Sequence, residues 1–404
     1  MRIIHTADWH LCDTLGRNDR TPDLQPRVAR VAELCVEHRA DLLVIAGDVF
    51  SEQASVEDMT RALRHVRDVF RPFFAAGGTI LAVTGNHDRN NRIDMVKAGM
   101  DLAMPAAPPG GVLFAGRMYL ANTVSLVKVA DRDGDLVQFV LLPYPFPSRY
   151  NVPADSFQSK EEETRQVRSA VTDWLQRKPT EAAFDVTLPT VLVAHLHVRG
   201  SEMNTAYKMR DADDILFDFG ELHPEWRYVA LGHIHKPQAL SGSETVRYPG
   251  SLDRLDFGET HSDHGIVLFD VRGADPVRPV RLPIPPTPFH TITILDPDTE
   301  LPKLAERYPD HATALVRLIL APPTGNTDRD DVARQLKKLF PRWHSLDWAD
   351  PERSEAESRR SKFDPRAGFE ATVRDYLTEQ LASDPDAPAV LALADTFLAP
   401  GGRP

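Results

Sequence analysis

Seven residues able to ligate a cation stand at the ends of five apolar runs. "IIHTAD" delivers Asp8 and, past Trp9, His10; "LLVIAG" delivers Asp48; "ILAVTG" delivers Asn86, followed by His87 and Asp88. Further on, "TVLVA" ends in His195, and "YVALG" ends in His233 and His235. Asp8, Asp48 and Asn86 offer hard oxygens and the four histidines offer imidazole nitrogens, with no thiolate in the set. That mixture suits Mn²⁺, Fe²⁺ or Zn²⁺ better than calcium or an iron–sulfur cluster. Seven donors are too many for one tetrahedral ion. They match two divalent ions roughly 3.5–4 Å apart that share a bridging carboxylate, the arrangement of metal-assisted phosphoester hydrolysis. Any one of these motifs is weak alone, since a lone histidine at a strand end is usually structural. Their occurrence in this order, each closing an apolar run, is specific.

The elements around them explain how distant residues would meet. "RIIHTAD", "DLLVIAGD" and "GTILAVTGNHD" read as strands separated by the helical patterns "LQPRVARVAELCVEHRA" and "VEDMTRALRHVRDVFRPFF". This βαβαβ order predicts a largely parallel sheet, whose strands end along one edge where α/β proteins hold ligands. Gly47, Gly85 and Gly232 directly precede donors, allowing sharp turns and close backbone approach. Later segments, from "TVSLVKVA" to "GIVLFDV", predict a second, more antiparallel sheet packed on the first. The fold class expected is α/β: a two-sheet sandwich flanked by helices over residues 1–285. A small α/β addition over 286–350 and a charged linker with terminal helices over 351–404 complete the chain.

Bulk composition narrows the classes. With 42% hydrophobic and 26% charged residues, the chain falls in the soluble globular class, and its apolar runs are strand-sized rather than membrane-spanning. The opening residues do not read as a secretory signal. Cys12 and Cys35 are the only cysteines and form no CxxC, which suits a reducing cytoplasm. A net charge of −12 weighs mildly against a free-standing DNA-binding module, but bound cations or a basic partner would offset it.

The blocks "DWH", "GDVF", "GNHD", "VAHLHVRG" and "GHIH" resemble, in order, those of the calcineurin-like metallophosphoesterases. "IIHTADWHL", "LLVIAGDVF", "YVALGHIHKPQ" and "VRYPGSLDRLDFGE" look more closely like the SbcD-like nucleases of that family. The Gly-Asp-x-x-Asp-Arg-Gly block of the family's protein phosphatases does not occur here. The resemblance covers about the first 260 residues. It implies one ion held by Asp8, His10, Asp48 and His235, and a second by Asp48, Asn86, His195 and His233, with Mn²⁺ the expected metal. His87 matches the catalytic histidine, positioned to stabilise charge or protonate the leaving oxygen, with Asp88 orienting it. Activated water, and no side chain, would be the nucleophile.

The resemblance further implies a DNA exonuclease and endonuclease for double-strand ends or hairpins, active in DNA repair and recombination. It would be a cytoplasmic homodimer working with an SbcC-like coiled-coil ATPase. Rival readings are a phosphodiesterase for nucleotides or small molecules and a scaffold that has lost activity. Cys12 stands where relatives usually have glycine, and Ser51 where they often have His or Asp; the latter bears on the balance of exonuclease and endonuclease action. Arg17, Arg20, Arg89 and Arg92 follow ligand-bearing strand ends, where they could hold DNA phosphates. Phe369, Val373, Tyr376, Leu377 and Leu381 share one face of a terminal helix, which by resemblance would dock on the ATPase. His197 is expected beside the site without being a ligand, His261 and His264 in an exposed turn, and Cys35 in the core.

Overall fold

The computed structural model describes residues 1–88, 90–102, 111–153, 156–203, 214–222, 226–240, 242–321 and 328–348, with a few isolated positions between 374 and 394. It divides into two units. The first comprises Met1–Thr291, Asp310–Arg317 and Phe340–His344; the second comprises Ile292–Pro309, Leu318–Leu339 and the chain from Ser345. The second unit includes the helix Arg329–Leu339, with Val332 and Leu336 buried, and the Arg329 guanidinium lies over the Trp348 ring. The charged stretch from 351 falls outside the described residues, as do nearly all positions of the terminal helices.

Two sheets make the first unit. One has six strands in the order Val280–Pro283, Gly265–Asp270, Arg2–Thr6, Leu42–Ala46, Thr79–Val83 and Met118–Ala121. The last four run parallel. The other has seven, in the order Gln238–Leu240, Ser243–Tyr248, Tyr228–Gly232, Thr190–His195, Leu136–Leu142, Ser125–Ala130 and Val112–Leu113.

Strand alternation sorts the apolar side chains into layers. Ile3, Leu42, Val44, Leu81 and Val83 meet Phe139, Leu141, Val191, Val193, Tyr228 and Ala230 between the sheets. Their neighbours Ile4, Leu43, Ile45, Ile80 and Ala82 face outward onto Val28, Val31 and Cys35 of the helix Thr21–Glu37 and Met59 and Val66 of the helix Val56–Val69. On the far side, Val140, Leu192, Ala194 and Leu231 pack against Val167, Val171 and Leu175 of the helix Lys160–Arg177. Both faces of each sheet are therefore covered, which is why the central strands read as unbroken apolar runs. One polar side chain interrupts the filling. His5 is fully buried, with Nδ1 3.1 Å from Tyr228 Oη and Nε2 3.1 Å from the Leu231 carbonyl, so it links one sheet to the other.

The second sheet corrects the sequence reading. Four of its strands, Leu136–Leu142, Thr190–His195, Tyr228–Gly232 and Ser243–Tyr248, run parallel; the antiparallel pairs lie outside them. Parallel neighbours need a long crossover. Here the crossover from Leu142 to Thr190 carries the helix Lys160–Arg177, which the sequence reading does not assign. Parallel strands in both sheets bring all five strand ends that carry candidate ligands to one edge of the sandwich.

Candidate metal centre

The strand ends turn sharply as they reach the edge. Asp8, His10, Asp48 and His233 all adopt positive φ, four of the seven described non-glycine residues that do so. Such backbone costs energy and persists where surrounding contacts over-determine it. Those contacts are present: Asp8 N–H donates to Gly47 O, His10 N–H to Asp48 O, and His233 N–H to the Asp8 carboxylate. Cys12, at φ +68°, occupies a left-handed position of the kind glycine fills most easily. At Gly47, φ is +93° and an added Cβ would lie 2.0 Å from His195 Nδ1, so glycine is needed for conformation and space alike. At Gly232 the limit is space alone, because a Cβ would meet the Ala46 carbonyl at 1.7 Å.

Hydrogen-bond direction shows what the cluster is built to hold. His195 Nδ1 lies 2.8 Å from the Ala46 carbonyl, which only accepts, so Nδ1 carries the proton. In the neutral ring the Nε2 lone pair then points at Asn86 Oδ1, 3.0 Å away, and Asp48 Oδ2, 3.3 Å away. His233 Nδ1 also lies 3.0 Å from Asn86 Oδ1. His10 Nε2 is buried with no hydrogen-bond partner, 3.6 Å from Asp48 Oδ2. Ligand atoms of Asp8, His10 and His235 fall within 4.8 Å of one another, as do those of Asp8, Asp48 and His195. Lone pairs facing lone pairs in a buried pocket call for cations between them. The donor set fits two divalent ions, with Asp48 shared.

Without ions the cluster balances its charges internally. Burial lowers His195 and His235, but Asp48 and Glu259 respectively outweigh it and raise both to about 9. Divalent ions would displace the protons those rings hold. Burial pushes the Asp8 carboxyl up to about 6. Burial acts on Asp48 in the same sense, but His195 outweighs it and holds that carboxyl well below the usual range. Burial drives His10 well below the usual imidazole value, which keeps its ring neutral and its lone pair available.

The model of the calcineurin-like phosphoesterases matches residues 1–237. The chain belongs to that family. Among curated relatives, this phosphoesterase is 29% identical to the SbcD component of the nuclease SbcCD of Rhodobacter capsulatus, over 70% of this chain and 70% of that one. It is 27% identical to the corresponding SbcCD component of Escherichia coli K12, over 64% of this chain and 62% of the relative. The Bacillus subtilis protein of the same name matches at 26%, over 67% and 66%. The phosphoesterase thus aligns with about two thirds of the length of these relatives.

Other residues singled out in the sequence fare differently. His87 is partly exposed at the rim, its ring 4.9 Å from that of His10, its Nδ1 3.8 Å from Glu52 Oε2 and its N–H bonded to Asp48 Oδ1 at 2.8 Å. The Asp88 carboxylate reaches the backbone N–H groups of Gly85, Val49 and Phe50, not the His87 ring. It therefore fixes the loop rather than the imidazole. Arg20 cannot meet DNA: it is fully buried, bonded to Asp23, Asp253 and the Arg254 carbonyl. Its partners lie up to 234 residues away, beyond the reach of a local reading. Arg17 is exposed over the Trp343 ring, and exposed Arg92 binds the Ala54 carbonyl. Arg89, Phe369, Val373, Tyr376 and Leu381 lie outside the described residues. Leu377 is half-buried. His264 is buried against the Ser251 carbonyl, contrary to the exposed turn expected. Cys35 is in the core.

Four residues escape a reading of the sequence. Asp214 sits behind His233 and Glu259 behind His235, at 2.7 and 2.9 Å. Tyr144 donates to Asp214 at 3.0 Å. Arg149, buried and stacked on Phe146, donates to the carbonyls of Gly85 and Asp88 and so clamps the loop bearing Asn86 and His87. Glu259 closes the "VRYPGSLDRLDFGE" segment, which is the one available signal; nothing local marks the other three.

Proposed function

We propose that this phosphoesterase is the nuclease component of a DNA-repair complex: a Mn²⁺-dependent enzyme cutting phosphodiester bonds at double-strand ends or hairpins, with a coiled-coil ATPase governing access. One observation carries the reading: donors from two sheets converge on one buried point beside a partly exposed histidine and an open cavity. That cavity, of about 680 Å³, is lined by Glu52, His87, Arg92 and Phe146 among others. The relatives' name, a nuclease that is one part of a complex, supports the substrate class and the partner. Homodimerisation and docking of the terminal helices on the ATPase belong to the same reading.

Asp8, His10, Asp48 and His235 would hold one ion, and Asp48, Asn86, His195 and His233 the other. Bound divalent ions supply Lewis acidity towards a phosphoryl oxygen and make water a usable nucleophile at neutral pH. The protein's own contribution is placement. Arg149 and Asp88 pin the loop from both sides, so that His87 faces the cavity with its backbone tied to Asp48. From there its ring can donate to a non-bridging phosphate oxygen or protonate the departing oxygen. Arg92, at the cavity wall, offers a positive charge to the neighbouring phosphate without reading sequence.

Incubation of Mn²⁺-loaded protein with linear duplex DNA, hairpin DNA and a nitrophenyl phosphodiester tests the proposal. DNA cleavage is expected. Hydrolysis of the small diester alone would indicate a small-molecule phosphodiesterase, and turnover of neither would point to a scaffold.

A further inference from the structure

Asp214 lies behind His233, away from the ion cluster, and four donors converge on its carboxylate. His233 Nε2 and His197 Nδ1 meet Oδ2 at 2.7 and 2.9 Å. Tyr144 Oη and the Ile215 N–H meet Oδ1 at 3.0 and 2.8 Å. The side chain is 1% exposed, so no water competes for those oxygens. A carboxylate so surrounded only accepts, and His233 must present its N–H there. The neutral ring then has its lone pair on Nδ1, 3.0 Å from Asn86 Oδ1. The opposite tautomer would turn a lone pair on the carboxylate and an N–H on the cluster, losing the buried hydrogen bond and the ligand together.

We infer that Asp214 is a positioning residue: it fixes the tautomer and orientation of His233 and thereby sets the affinity of the one ion position to which His233 contributes. The inference rests on the two-ion reading above. Glu259 stands in the same relation to the other position. It meets His235 Nδ1 at 2.9 Å and is itself held by Ser251 Oγ and the Leu255 N–H, while His235 clusters with Asp8 and His10. Two carboxylates therefore tune two positions separately. Carboxylates behind a ligating histidine typically change metal affinity by about 10–100-fold. His197 shares the Asp214 oxygen without entering the cluster, so it serves as an internal control.

The test uses the full chain, with Mn²⁺ binding followed by calorimetry and the coupling between ions by electron paramagnetic resonance. Wild type is expected to take up two Mn²⁺ and show a coupled pair. Asp214→Asn should weaken one of the two by about 10–100-fold, giving an isolated-ion signal at intermediate Mn²⁺. His197→Asn, which leaves the Asp214–His233 contact in place, should change affinity less than about threefold by comparison with that range. Nitrogen-15 spectra of metal-free wild type, which need no variant to fold, should show His233 protonated on Nε2. Unchanged binding of both ions by Asp214→Asn, an equal loss in His197→Asn, or His233 protonated on Nδ1 would each overturn the inference. Wild type that takes up no Mn²⁺ would instead sink the two-ion reading beneath it.

Discussion

His195 turns Nδ1 to the carbonyl of Ala46, 2.8 Å away, and so aims Nε2 at Asp48, 3.3 Å away. The two residues belong to different sheets, and Ala46 is the last residue of the strand that delivers Asp48. The backbone carbonyl of one strand thus sets the direction in which a candidate ligand from the other sheet points.

Asp48→Asn is expected to lower phosphodiester hydrolysis by more than about a hundredfold, because a shared ligand should cost more than a residue acting through one. The accompanying measurement is Mn²⁺ stoichiometry, which should fall below that of wild type. Full activity with two tightly held ions would remove Asp48 from the bridging role.

His87→Asn should separate chemistry from binding. The ring stands at the rim, so kcat is expected to drop by about 10²–10⁴, the usual contribution of a positioned acid or base. Mn²⁺ affinity should hardly move. A comparable loss of metal would show that His87 is a ligand.

Gly47→Ala combines a backbone strained at positive φ with a clash on His195. Thermal or denaturant unfolding should report a loss of about 1–3 kcal/mol, together with weaker Mn²⁺ binding. Gly77→Ala, also at positive φ but with open space around it, should cost stability without touching metal.

Arg20→Ala should act on folding rather than on DNA. It removes one cationic partner each from the buried carboxylates of Asp253, which keeps Arg27 and Thr287, and Asp23, which keeps Arg342, a change worth about 1–3 kcal/mol. Below its melting temperature the variant should bind duplex DNA like wild type, whereas Arg92→Ala should bind it more weakly and still cleave a small diester. Selective loss of DNA binding in Arg20→Ala would contradict its buried position.

His5 offers a pH test. Burial pushes its imidazole down to about 3, from an ordinary value near 6.5. The unfolded chain therefore binds a proton in a range where the native ring does not, and stability falls as pH drops from 6.5 towards 3. The slope is at most about 1.4 kcal/mol per pH unit. His5→Leu lacks this term, so the stability gap, wild type minus variant, should fall as pH is lowered. A gap constant between pH 6.5 and 4 would mean that His5 is charged in the fold.

What can be read from the sequence follows from locality. Gly47, Gly85 and Gly232 stand directly before donors, so each ligand announces itself within a few residues of an apolar run. Asp214 lies in a bend and Glu259 closes a single 3₁₀ turn, with no periodic pattern beside either, and their partners are remote in sequence. The same remoteness misleads the reading of Arg20, whose partner Asp253 only the fold brings near. The second sheet is misjudged because strand direction depends on the crossover. The helix Lys160–Arg177 shows few apolar residues among its charges, and with it unassigned, nothing calls for parallel strands.

The apolar filling between the sheets also acts as a spacer. Phe139, Tyr228 and Phe269 hold the two layers at a set separation, and the cluster straddles that separation, drawing Asp8, Asp48 and Asn86 from one side and His195 and His233 from the other. Thinning the interior, or sliding one layer along the other by a residue, would pull the two halves of the cluster out of reach of each other. Substitutions deep in the hydrophobic interior, touching no ligand, can therefore detune the chemistry at the rim.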